Sequence, residues 1–341
     1  MPALARPRVM PSVGRTKNRQ SKKEDMPAPS TAFPQLTSQD ACEALATVGL
    51  QLAPEQVQVE SREERWLVRL PDDRMAWFAA SIEGHRRLCA ERRLLRLLQA
   101  RCSFRAPRVL AEGRGGDFDV RVGVPGTADP WEVFRHVRAD PWLGARIGAQ
   151  VGSILAEQHT RIGAVDVADW LPLRPSWPES GEWVRQRLPR VADDLALVAK
   201  AGVVFAMYEA VKLPEADRVL VHADVGFHNL AIDATSLAVR GLFDYDGAAW
   251  ADRHHDFRYL LFDYDCDEVL EAAAAAYEPS VGCVISRARV ALYNAACAIS
   301  FLAHREGKLP EERCCGRTLT EDLRWTTHAI GRALALAPRG G

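Results

Sequence analysis

The sequence predicts an α+β chain of two lobes, a small β-rich lobe over residues 37–125 and a larger, mainly helical lobe over residues 126–338. Three observations lead there. Strand-like runs and turn residues crowd the first stretch around one helical segment. Past Pro125-Gly126 the apolar residues recur at helical spacing instead. A length of 341 residues, 48% of them hydrophobic, suits two globular domains of ordinary composition.

Residues 1–36 stand apart from both lobes. The first 25 hold seven basic residues against two acids, with Pro2, Pro7 and Pro11 and few apolar side chains. That composition cannot bury a core and predicts a disordered basic tail, of the kind that suits a nucleic-acid or membrane surface. Met26 offers a second start of translation that would remove it. The remainder carries 37 basic and 43 acidic residues, a net of −6, and no specific nucleic-acid partner is expected for it.

Residues 38–48 open on a capping serine, Ser38, and predict a short helix. Trp66-Leu-Val-Arg-Leu70 and Met75-Ala-Trp-Phe-Ala-Ala80 read as strands, joined by the hairpin residues 71–74. Residues 85–101 predict a helix, and residues 107–110 and 118–124 two further strands.

In the larger lobe, Leu143, Ile147, Val151 and Ile154 mark a helix over residues 142–159. Residues 284–304 are apolar nearly all round and predict a buried helix. Between 170 and 191 lies a segment rich in tryptophan and proline, with Trp170, Trp177 and Trp183. No apolar run approaches the ~18–20 residues of a membrane span, and no apolar leader is visible. The eight cysteines form no CxxC pair and no zinc spacing, which predicts a reducing, cytoplasmic setting.

The chemistry concentrates between residues 222 and 256. His222-Ala-Asp224 is followed by Asn229 five residues on, then by Phe243-Asp244-Tyr245-Asp246, and then by Asp252-x-x-x-Asp256. Acids and an amide at these spacings are what a two-metal phosphoryl-transfer site requires. Asp224 stands where a catalytic loop orients an attacking hydroxyl, and Asn229 and Asp244 are candidate Mg²⁺ ligands. Short strands before Asp224, after Asn229 and before Asp244 would bring these groups to one sheet edge. His222 is expected to brace the loop by hydrogen bonding.

From His222 to Phe257 the chain resembles the aminoglycoside phosphotransferase family of protein-kinase-like small-molecule kinases, on H-A-D-x-x-x-x-N and then G-L-F-D-Y-D-x-A-x-x-A-D-x-x-x-D-F. A looser resemblance covers residues 60 to 305. It implies a protein-kinase-like two-lobed fold and Mg²⁺-dependent transfer from ATP or GTP to a small-molecule hydroxyl. By the same resemblance Asp224 is the catalytic aspartate, Asn229 and Asp244 are the magnesium ligands, Asp252 and Asp256 brace the loops rather than touch nucleotide, and the Trp-rich segment helps to form the acceptor pocket. The family usually has glycine where Ala223 and Ala251 stand.

One part of that pattern is missing. Leu88, Glu91, Leu95 and Leu98 share a helix face, and a carboxylate in an apolar stripe needs a partner. The resemblance makes Glu91 the helix acid that holds a phosphate-binding lysine near Ala79, yet no lysine occurs between Lys23 and Lys200. An arginine can replace it. Arg69 is the first candidate, although the simplest register points it away from the face of Ala79. Arg62 and Arg65, in the turn over residues 60–65, are the alternatives. That turn has no glycine, and no Walker-type phosphate loop occurs anywhere.

Asp263, Asp265, Asp267 and Glu268 suit either a cationic acceptor, such as an aminoglycoside, or the solvated start of a helix. Two other classes remain open. The absent lysine suits a nucleotide-binding module with weakened catalysis. His222, Asp224, His255 and Asp256 suit a metal-dependent phosphohydrolase.

Overall fold

The computed structural model describes residues 35–127, 129–262 and 267–337, so the basic tail lies outside the described residues. The chain divides into two compact units. Among the described residues, one holds residues 35–125 together with the short segment Leu242–Asp246; the other holds those from Gly126 to Gly241 and from Gly247 to residue 337.

The N-terminal unit begins with α1 (Ser38–Ala46). Its cap is Thr37 rather than Ser38. The Thr37 hydroxyl accepts from the Asp40 amide at 3.1 Å, and the Asp40 carboxylate accepts from the Thr37 amide at 3.0 Å. Five antiparallel strands follow: β1 (Gln58–Arg62), β2 (Arg65–Arg69), β3 (Arg74–Ala79), β4 (Arg108–Glu112) and β5 (Phe118–Val122), in the order β1-β2-β3-β5-β4. The helix α2 (Ile82–Arg101) links β3 to β4.

Four strands were expected, and β1 is the addition. It takes up most of what reads as a turn, leaving Glu63 at φ 49° to reverse the chain. A polar edge strand lacks the apolar alternation that betrays a half-buried one. One face of the sheet packs Val68, Ala76, Phe78, Phe118 and Val120 with Ala41, Cys42 and Leu45. The period-two pleat sends Arg65, Arg69, Met75, Trp77, Ala79, Asp119 and Arg121 to the other face. Register pairs Arg65 with Ala79 and Arg69 with Met75, so Arg69 shares the face of Ala79 instead of opposing it.

The C-terminal unit runs through α3 (Pro130–Ala139), α4 (Pro141–Arg161), α5 (Ala164–Val167), α6 (Gly181–Arg187) and α7 (Leu195–Glu209). Two ribbons follow: β6 (Arg218–Val221) pairs with β9 (Ala249–Asp252), and β7 (Leu230–Ile232) with β8 (Val239–Leu242). Then come α8 (His254–Phe262), α9 (Asp267–Val281), α10 (Arg287–Ala303) and α11 (Leu319–Leu336). Every residue of α10 from Val290 to Ala303 is buried, as its all-round apolar pattern demands, and it packs with α7 and α11.

Two glycines let α4 meet α9 closely. A Cβ at Gly148 would lie 2.2 Å from the Val269 carbonyl oxygen, and one at Gly152 would lie 2.1 Å from that of Ala273. The alanine run of α9 is the other half of that contact, with Ala273 and Ala274 fully buried. In the Trp-rich segment, Trp177 stacks on His304 at 5.0 Å and Trp183 lies 4.3 Å from the same ring. No described helix is long and apolar enough to cross a membrane. The seven described cysteines are all free.

Candidate active site

In the C-terminal unit the chemistry is built around the end of β6. Asp256, in the first turn of α8, accepts the amides of His222 at 3.1 Å and Ala223 at 2.7 Å. Two buried groups hold Asp256 from behind. His159 Nε2 donates to it at 3.1 Å while its Nδ1 accepts the Tyr277 hydroxyl, and Gln158 donates at 3.5 Å. Burial pushes the Asp256 carboxyl up, but His159, His222 and the amide donors outweigh it and hold it below the ordinary carboxylate range.

Asp256 thereby pins two successive amides and turns the chain sharply. Ala223 takes φ 69°, a left-handed conformation that costs an L residue about 1–2 kcal/mol. Arg258, fully buried, donates to the Ala223 carbonyl at 2.8 Å and holds the turn from the other side. The Asp224 amide donates to His222 Nδ1 at 3.2 Å, so the His222 ring braces the loop as an acceptor.

Asp224 emerges from this turn with 39% of its side chain exposed, while Asn229 is almost wholly buried. Asn229 Nδ2 donates to both the carbonyl and the Oδ2 of Asp224, each at 2.9 Å. His228 Nε2 lies 3.4 Å from the same Oδ2, and the Tyr259 hydroxyl donates to the carboxylate. Burial raises the Asp224 carboxyl, but His228, His222 and Tyr259 overcome it, so its pKa lies well below the ordinary value. A carboxylate this acidic is a fixed acceptor, not a reservoir for protons at neutral pH.

Asp252 ends β9 and accepts from His254 Nδ1 at 2.6 Å, the Tyr293 hydroxyl at 2.6 Å and Arg289 at 3.4 Å. His254 Nε2 in turn accepts the Ser286 amide at 3.0 Å, which fixes the tautomer. Asp252 thus ties β9 to α8 and α10.

The expected convergence on one sheet edge needs correcting. Asp224 follows β6 and Asn229 precedes β7, strands of two separate ribbons, and Asp244 lies in the segment that goes with the N-terminal unit. The phosphohydrolase constellation also fails to assemble. Asp256 is filled by backbone amides, and His255 Nδ1 accepts Arg258 Nε at 3.4 Å. Among the described residues no three His, Cys, Asp or Glu side chains gather as a metal set.

In the N-terminal unit, the segment Leu242–Asp246 is tied in by the Leu242 amide, which donates to the Arg105 carbonyl at 3.0 Å. Asp244 stands there at φ 68°. The expected pairing of Arg69 with Glu91 is not formed, because Arg69 Nε donates to Glu60 at 2.7 Å. Glu91 is held instead by Arg65 at 2.9 Å on one oxygen and by Arg121 at 2.9 Å on the other. Arg65, directly across from Ala79, supplies the charge from the neighbouring strand.

These contacts belong to a longer ladder of alternating sign. Arg65 also meets Asp246 at 3.1 Å, and Asp246 is gripped by Arg87, which reaches Glu63 at 3.3 Å. In the other direction Arg121 bonds Asp119 at 2.6 Å, and Asp119 bonds Arg92 at 3.1 Å. Burial drives the Asp246 carboxyl up, yet Arg65 and Arg87 hold it below its usual range. Arg65, Arg121 and Asp246 were not singled out as a group from the sequence. Only the strand register, counted back from the 71–74 turn, could have put Arg65 beside Ala79.

Both recorded side-chain hydrogen bonds of Asn229 leave from Nδ2, which turns the carboxamide oxygen the other way. A carboxamide oxygen is the kind of hard oxygen ligand that Mg²⁺ prefers.

The family model for the phosphotransferase enzyme family matches residues 47–293. A search of curated proteins finds no match. Among solved structures, the GDP complex of wild-type aminoglycoside 2'-phosphotransferase-IIIa is similar with a TM-score of 0.59 at 16% identity, over 85% of this chain and 97% of that one. The ADP-bound aminoglycoside phosphotransferase APH(2'')-Ib gives 0.56 at 13% identity, over 87% and 98%. The macrolide 2'-phosphotransferase MphH from Brachybacterium faecium gives 0.54 at 17% identity, over 88% and 99%.

Proposed function

The chain belongs to the phosphotransferase enzyme family, and on that premise we propose that it transfers the γ-phosphate of ATP or GTP to a hydroxyl of a small molecule in the cytoplasm. The observation that carries the reading is the Asp224–Asn229 arrangement. One buried amide fixes a catalytic-loop carboxylate through its nitrogen and leaves its oxygen for a metal.

Asp224 accepts the hydrogen of the acceptor hydroxyl and aims its oxygen at the γ-phosphorus. As the new P–O bond forms, the bond to the β-phosphate oxygen breaks and its electron pair stays on the nucleoside diphosphate. In a loose transition state the hydroxyl proton leaves late and passes by way of the part-exposed Asp224 carboxylate to solvent, so orientation matters more than basicity, and a strongly acidic Asp224 suits that role. Asn229 and Asp244 are the residues we assign to Mg²⁺, which when bound neutralises charge on the phosphate oxygens. His222, Asp252 and Asp256 hold the loops.

The absent lysine suits a module with weakened catalysis, whereas Arg65 beside Glu91 supports the catalytic reading. For the acceptor we propose a hydroxylated antibiotic of the aminoglycoside or macrolide kind, the substrates named for the similar structures. Asp263 and Asp265 lie outside the described residues, and Asp267 is paired with Arg332 at 2.7 Å. Nucleotide consumption with Mg²⁺ against a panel of both antibiotic classes tests the proposal; no consumption with any hydroxylated acceptor would refute it.

A further inference from the structure

Asp246 is the member of the ion-pair ladder that comes from farthest away in sequence, 159 residues from Arg87. Apart from Glu63 in the β1–β2 turn, the ladder's other members lie in the sheet and helix of the N-terminal unit, where they fasten α2 to the strands. Asp246 lies in a short turn, Tyr245–Gly247, just past Asp244.

Its carboxylate is enclosed by two guanidinium groups. Oδ2 takes Arg65 Nη2 at 3.1 Å and also Arg87 Nη2, while Oδ1 takes Arg87 Nε at 3.1 Å. A bidentate guanidinium with a second one beside it, around one set of acceptor oxygens, is how proteins grip a phosphate. Glu91 does not rely on Arg65 alone, since Arg121 meets its other oxygen at 2.9 Å. Arg65 is nearly buried and lies over the Trp77 ring at 4.8 Å, whereas 24% of the Arg87 side chain faces solvent and gives an anion a way in.

We propose that Arg65 and Arg87 are an oxyanion-binding pair for the polyphosphate of the nucleotide, and that Asp246 fills the pair as an internal stand-in for phosphate. The identity of the ligand rests on the phosphotransferase reading; the existence of the pair does not. A phosphate carries more charge than a carboxylate and offers more acceptor oxygens, so it displaces Asp246 when nucleotide binds. Removing the Asp246 charge therefore tightens phosphate binding, the reverse of what loss of a ligand-binding residue does.

The test uses the full chain and inorganic tripolyphosphate, which carries no nucleoside and needs no acceptor. By calorimetry, Asp246→Asn should bind it at least ten-fold more tightly than the unsubstituted protein, and adding Arg87→Gln should abolish the gain. Unchanged or weaker binding by Asp246→Asn overturns the proposal, as does a gain that survives Arg87→Gln. Should Asp246→Asn fail to fold, Arg87→Gln alone decides, because its part-exposed side chain can be shortened safely. It should weaken tripolyphosphate binding ten-fold or more, and an unchanged affinity refutes the pair. A protein that shows the gain but transfers phosphate to no acceptor would sink the phosphotransferase reading and uphold the pair. One that transfers phosphate without the gain would sink the pair alone.

Discussion

Arg65 on β2 stands directly opposite Ala79 on β3, and from there its guanidinium reaches the Glu91 carboxylate at 2.9 Å. Opposed residues on antiparallel strands have Cβ atoms only about 4.5–5.5 Å apart, within the reach of an arginine. A cation lost from one strand can therefore be restored from its neighbour, so the motif is broken in sequence and kept in space.

Glu91→Ala should destabilise the protein by about 3–5 kcal/mol, because it leaves Arg65 and Arg121 buried around a missing charge. Arg69→Ala, which breaks only a part-exposed pair with Glu60, should cost less than about 1 kcal/mol. Urea denaturation of the two variants compares them directly. Equal losses would mean that the ladder does not matter to folding.

Asp224→Asn should lower kcat by about 10²–10⁴-fold while the nucleotide KM stays close to its starting value, since the residue acts on the acceptor hydroxyl. Steady-state kinetics with a responsive acceptor reads both constants. Near-normal turnover would remove Asp224 from the chemistry.

Asp244→Ala should abolish Mg²⁺-dependent nucleotide binding, and Asn229→Ala should raise the Mg²⁺ concentration needed for half-maximal activity. Titration calorimetry of Mg²⁺ and nucleotide separates these effects from the turnover loss of Asp224→Asn. Unchanged metal dependence in both would show that the metal is held elsewhere.

Ala223→Gly should stabilise the fold by roughly 0.5–1 kcal/mol. It releases about 1–2 kcal/mol of left-handed strain and gives back part of that as unfolded-chain entropy. A lower melting temperature in the variant would mean that the turn is not strained.

His255 is fully enclosed among Arg258, Tyr208 and Tyr293, and burial, followed by the Arg258 charge, pushes its pKa down to about 3. A depressed histidine favours the neutral folded form, so its contribution is complete above about pH 6.5 and is lost as the pH falls toward 3. His159 is depressed by burial as well and adds a loss of the same sign. Between pH 6.5 and 5 the His255 share is about 2 kcal/mol. His255→Gln, which can still accept from Arg258, should flatten the fall in stability over that range, as measured by chemical denaturation at each pH.

The local elements were legible because they depend on nearest neighbours along the chain. The α10 helix declares itself by an apolar run, the 71–74 turn by Pro-Asp-Asp, and the loop from His222 to Asn229 by residue types at fixed spacing. The bracing by Asp256 required tertiary structure, as it joins α8 to the end of β6, and the commitment of the Asn229 nitrogen to Asp224 required the folded path of their loop. The same holds for β1, a polar edge strand that declares itself only through its partner β2. Most of all it holds for the charge beside Glu91. Sequence spacing asks which residue stands at one position of one strand, whereas Coulomb attraction asks only which cation is near, and strand pairing brought Arg65 there.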